Sequence, residues 1–132
     1  MKSGNILLIV VALCLGGMFF MLRDVTSPTR SAVATKNPQL KSALASGQPV
    51  LLEFYAEWCP PCRAVGPVVD ELARDLQGKA KVVRLNVDEN SELAREYEVH
   101  SIPAFIALKN GKETSRQVGG IEKAAMRSML DL

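Results

Sequence analysis

Histidine occurs once and cysteine three times in these 132 residues, and that scarcity removes several chemistries at once. Structural zinc takes four nitrogen or sulfur ligands. One cysteine, Cys14, lies in an apolar leader, so Cys59, Cys62 and His100 are all that the rest of the chain could offer. Covalent haem attachment needs a histidine directly after a CxxC pair, and Arg63 stands there instead. Basic runs are also missing. The formal net charge is +2, but Lys2, Arg23 and Arg30 against Asp24 hold all of it in the first 34 residues, leaving 13 charges of each sign beyond. A neutral domain without a basic stripe has no electrostatic footprint for nucleic acid. Internal repeats and low-complexity blocks are absent, and the length suits one ordinary domain once a leader is set aside.

What is present begins with that leader. Ile6 to Leu22 (ILLIVVALCLGGMFFML) carries no charge over 17 positions, between Lys2 and Arg23. As a helix it would be roughly 25 Å long, the short end of what crosses a bilayer. Residues 1–22 therefore read as a signal anchor or signal peptide. Cleavage is the rival, because Ala32-Val33-Ala34 has the small-x-small pattern of signal processing, although it lies far beyond the apolar run. Cys14 reads as a small apolar residue in lipid rather than a lipidation site, since the bulky Leu13 precedes it. With so few flanking charges on either side, the positive-inside rule is nearly silent on orientation.

Residues 23–37 are polar and without period, a linker in which part could form a short edge strand. Residues 38–132 form the domain. Leu40, Ala43 and Leu44 fall at helical spacing and Gly47 stops them. Val50 to Ala56 is a nearly continuous apolar run, as in a strand covered on both faces. Pro60 and Pro61 open a helix, since its first turn leaves N–H groups unpaired anyway. Val65, Val68, Val69, Leu72, Ala73 and Leu76 make its apolar stripe, Gly78 closes it, and Pro67 should kink it. Val82 to Val87 is a second strand, giving a βαβ unit. Asn90 to Val99 reads as a short helix capped by Asn90 or Ser91. Ala104–Leu108 and Glu113–Val118 form a hairpin about Asn110-Gly111, and Ile121 to Leu130 a closing helix. This order places helices on both faces of a four-stranded mixed α/β sheet.

Cys59 falls at the junction of strand and helix, with Cys62 on the same helical face. A disulfide between them is geometrically easy, yet it closes so small a loop that it adds little as a staple. Redox exchange is the better use. A thiolate at a helix N-terminus is stabilised by the positive end of the macrodipole and by free N–H groups, which makes Cys59 the nucleophile and the deeper Cys62 the resolving thiol. An N-cap acceptor is served by the second and third following N–H groups, and Cys62 keeps the one that Pro61 lacks. Pro60 is therefore expected to act through stiffness rather than charge. Glu53, in the middle of a buried strand, needs a partner or a shifted pKa.

The segments EFYAEWCPPCRAVGPVVDELA, VVRLNVDEN, SIPAF, KNG and VGG resemble thioredoxin in type, order and spacing over all of residues 38–132. The resemblance implies the thioredoxin fold, with a central sheet of four or, counting an edge strand, five strands. Glu53 stands where the family carries a buried aspartate, implying a proton acceptor for the resolving cysteine. Arg84 replaces a lysine and could pair with it, a pairing that could equally be purely structural. Pro103 matches the family's cis-proline, implying that the Ile102 backbone pairs with an extended substrate segment. Trp58 would offer an aromatic face to partners, and His100 either adjoins the site or is plain solvated surface. The chain departs from the family in Pro60 and in its leader, because thioredoxin is soluble. Tethered relatives look like reductases acting outside the cytoplasm. The resulting expectation is a monomeric thiol-disulfide oxidoreductase, single-pass in a bacterial-type inner membrane with a periplasmic domain. It would need no cofactor or metal, reduce disulfides of protein substrates, and draw electrons from a membrane thiol carrier or reductase. A net oxidase or isomerase, and a non-catalytic tethered binding module, are the competing readings.

Overall fold

The computed structural model describes residues 36–132. The leader, its cleavage alternative and residues 23–35 of the linker fall outside the described residues. Among the described residues no helix is long and apolar enough to cross a membrane.

Eight elements follow one another: α1 (Pro38–Ala45), β1 (Val50–Tyr55), α2 (Pro60–Asp75), β2 (Lys81–Asn86), α3 (Ser91–Glu96), β3 (Ala104–Lys109), β4 (Lys112–Val118) and α4 (Lys123–Ser128). The described sheet has the order β2-β1-β3-β4, with β1 parallel to β2 and antiparallel to β3, and β4 antiparallel to β3. The βαβ unit and the terminal hairpin therefore meet along β1 and β3. These two central strands are buried on both faces, which is why they read as continuous apolar runs.

Side chains alternate along β1 and divide the core into two layers. Val50, Leu52 and Phe54 pack with Leu40 of α1 and Leu93 and Tyr97 at α3. Leu51 packs on the opposite layer against Val65, Val69 and Leu72 of α2 and Met126 of α4. Fully burying one such side chain contributes about 1.5–3 kcal/mol, so the stripe on α2 suffices to dock that helix on the sheet. Glu53 lies on the same side of β1 as Leu51 and so beneath α2.

Local chemistry accounts for the ends. Asn37 Oδ1 accepts from Leu40 N at 3.0 Å and caps α1. Helix α2 continues through Pro67, whose missing N–H removes one ladder bond. Asn110 and Gly111 have φ of +54° and +73°, the left-handed pair that a type I′ hairpin requires. Helix α3 is shorter than its apolar pattern suggests, because Glu98 turns to φ +53° and Val99 N bonds back to Ala94 O. Asn90 occupies the N-cap position without making a side-chain cap. Its amide instead donates to Asn86 O, and its oxygen accepts from Asn37, tying α3 to the start of α1. The closing helix is likewise limited to Lys123–Ser128.

Candidate active site

The turn between β1 and α2 places Cys59 as the N-cap residue, with extended backbone, and Pro60 and Pro61 in the first turn. Both cysteines are buried, Cys59 at 4% exposure and Cys62 at 1%. They are joined as a disulfide with their Cα atoms 5.3 Å apart. Cys59 Sγ accepts from Cys62 N at 3.4 Å, the one N–H of the first turn that the two prolines leave in reach. A thiolate formed there on reduction would meet that donor and the positive helix end.

From the other side comes the loop before β3. The Ile102–Pro103 peptide bond is cis, Pro103 is buried, and the Ile102 carbonyl oxygen lies 3.9 Å from Cys59 Sγ. Ile102 packs against a small apolar cluster of Ala56, Cys59 and Cys62. Trp58 is 64% exposed beside the pair, and its indole N–H donates to Asp88 Oδ2 at 2.9 Å. His100 is exposed surface.

Beneath the helix, Glu53 is fully buried, the one charged or polar residue so placed among the described residues. Arg84, its direct cross-strand partner, donates from Nε to Oε2 at 2.5 Å. The second oxygen, Oε1, is buried without a hydrogen-bond partner among the described residues. Burial pushes the Glu53 carboxyl above the usual carboxylate range, although the Arg84 guanidinium pulls the other way. A cavity of about 250 Å³ opens beside this pair, lined by Cys62, Gly66, Asp70, Tyr55 and Arg84 among others. The structure thus gathers Cys59, Cys62, Pro60, Pro61, Trp58, Ile102 and Pro103 around the sulfurs, with Glu53 and Arg84 below. No group of three or more potential metal ligands occurs among the described residues.

The thioredoxin family profile matches residues 31–132. The chain belongs to the thioredoxin family. It is 43% identical to thioredoxin of Rickettsia conorii, an alignment covering 69% of this chain and 84% of that one. It is 41% identical to thioredoxin 1 of a Nostoc species, over 76% of this chain and 94% of the relative. Among solved structures, Fasciola hepatica thioredoxin superposes with a TM-score of 0.61 at 32% identity, covering 68% of this chain and 88% of that one. With a disulfide pair at the start of α2, this thioredoxin-family chain is a thiol-disulfide oxidoreductase of the protein-disulfide reductase type.

Four residues of this family member's site escape a reading of the sequence: Tyr55, Gly66, Asp70 and Asp88. Asp88 becomes visible only through its bond to Trp58. Gly66 did leave a signal, since an isolated glycine within a helical stripe calls for a packing reason.

Proposed function

We propose that this thioredoxin-family protein is a membrane-tethered reductase that reduces disulfides of partner proteins outside the cytoplasm. The catalytic part is carried by one observation: Cys59 Sγ at the α2 N-cap, facing the Cys62 N–H, with a carboxylate buried below. In the reduced enzyme the Cys59 thiolate attacks a partner disulfide, forming a mixed disulfide and releasing one partner sulfur as thiolate. Cys62 then passes its proton to Glu53, its sulfur bonds to Cys59 Sγ, the mixed bond breaks, and the second partner sulfur leaves with the electron pair. The partner gains two electrons and the enzyme is left as the disulfide. A membrane thiol carrier or reductase returns those electrons.

Trp58 and the Ile102 backbone serve docking, with the extended partner segment adding beside the loop before β3. The 17 uncharged residues from Ile6 to Leu22 support a tether. In this reading the domain acts in the periplasm, as a monomer.

A Cys62→Ser variant, expressed as the full chain, should accumulate mixed disulfides through Cys59, and the trapped proteins should be extracytoplasmic. Capture of cytoplasmic proteins alone would overturn the location. Failure of the wild-type pair to exchange with a glutathione buffer would overturn the activity. An equilibrium potential as high as that of a disulfide oxidase would reverse the direction of electron flow.

A further inference from the structure

Gly66 lies one turn after Cys62 and one before Asp70, three positions on one face of α2 at spacings of four. Glycine inside a helix is disfavoured relative to alanine, and an isolated one there usually has a packing reason. The close neighbour across the interface is Arg84. A Cβ built on Gly66 would stand 3.2 Å from the near terminal nitrogen of its guanidinium, closer than ordinary contact.

The rest of the guanidinium is equally occupied. Nε bonds Glu53 Oε2, the other terminal nitrogen reaches Asp70 Oδ1 at 3.3 Å, and the planar group sits 4.6 Å from the centre of the Tyr55 ring. A planar fork with its face on an aromatic ring and its edges against a carboxylate, a second carboxylate and a bare helix backbone has one available orientation. A lysine ammonium would lack both the plane and the fork. In that orientation Oε2 of Glu53 is engaged by Arg84 and Oε1 is left as the open acceptor of the carboxylate.

We propose that Gly66 and Tyr55 are positioning residues for the exchange reaction, holding the Arg84 guanidinium so that Glu53 keeps one oxygen free for the Cys62 proton. This rests on the reading above that Glu53 takes that proton. The titratable and charged groups around the pair are Cys62, Arg63 and Asp70 from α2, Tyr55 from β1 and Glu57 from the turn between them, while β3 sets the uncharged Phe105 opposite Glu53. Displacing the guanidinium removes the nearest positive charge from a buried carboxylate and leaves Asp70 less well neutralised. Both changes raise the pH at which Glu53 loses its proton.

The test is a stopped-flow reaction of the reduced full chain with a chromogenic aromatic disulfide. The first release of chromophore reports attack by Cys59, and the second reports resolution by Cys62. The pH profile of the second phase is compared for wild type, Gly66→Ala, Arg84→Lys, the Gly66→Ala, Arg84→Lys double variant, Tyr55→Leu and Glu53→Gln, each checked for folding by thermal unfolding. Gly66→Ala should move the midpoint up by about half a pH unit, a fraction of what an adjacent opposite charge supplies. The same change in the Arg84→Lys background should move it no further, and Tyr55→Leu should resemble Gly66→Ala. Equal shifts in both backgrounds, or none in wild type while Glu53→Gln flattens the profile, overturn the positioning role alone. An unaltered profile in Glu53→Gln overturns the proton-acceptor reading itself, and the positioning role with it.

Discussion

Arg84 Nε lies 2.5 Å from Glu53 Oε2, across the parallel β1–β2 pair in which the two residues stand directly opposite each other. The carboxylate is fully buried, whereas the Arg84 side chain remains 31% exposed. This asymmetry governs how the site responds to pH and to substitution. Removing the arginine strands a charge in the core, and removing the carboxylate leaves the arginine free to reach solvent.

Stability of the oxidised protein should depend on pH through Glu53. Its folded pKa is raised by burial, so the folded state holds the proton more tightly than the unfolded chain does. Wild type should therefore lose stability relative to Glu53→Gln as pH climbs above the unfolded carboxyl value of about 4.3, levelling off above the folded pKa. Denaturant unfolding of both proteins across that range checks this. A wild-type advantage that grew with pH would contradict it.

Replacing Arg84 by methionine should destabilise the fold by about 2 kcal/mol at neutral pH, less than for a completely buried pair because Arg84 is partly solvated and Glu53 can protonate. The loss should shrink in acid. A Glu53→Leu, Arg84→Met double variant should recover most of it, since matched apolar replacement of an inward pair is often neutral. An additive double variant would show that the pair is not coupled.

Pro60→Gly tests whether the first proline acts by charge or by stiffness. The Cys62 N–H serves Cys59 in either protein, so the thiolate titration of Cys59, followed by ultraviolet absorbance, should keep its midpoint within about half a unit. The equilibrium potential should move instead, with about 30 mV corresponding to about 1.4 kcal/mol. A moved thiolate midpoint with a constant potential would assign the effect to charge.

Trp58 presents most of its surface to solvent and is tied to Asp88 by its indole nitrogen. Trp58→Ala should slow reduction of a protein disulfide severalfold while leaving the rate with a small aromatic disulfide nearly unchanged. Stability should shift by no more than about 0.5 kcal/mol, as for exposed positions generally. Equal slowing with both substrates would place the indole's role at the sulfurs rather than in docking.

Much of this protein was legible from short-range rules. The apolar run of β1, the paired prolines that open α2, the stripe on that helix and Asn110-Gly111 each fix local backbone choices, and all four appear where the pattern puts them. Element ends were less legible. Asn90 resembles a helix cap by type, yet its side chain bonds Asn86 and Asn37, a choice between partners that no local propensity records. Glu53 was conspicuous because a carboxylate within an apolar run is physically costly. The reason for Gly66 was not, because its partner lies on another strand.

The sequence by itself determined the order of elements, the helix-start location of Cys59 and Cys62, and the need for Glu53 to find a partner, because each follows from periodicity, capping and desolvation along the chain. Only the tertiary structure decided which oxygen of Glu53 is occupied, what cradles the Arg84 guanidinium, and how the Ile102 carbonyl approaches Cys59. Those relations join β1 to β2, α2 to β2 and the β3 loop to α2. Distances between segments remote in sequence are set by how the layers pack.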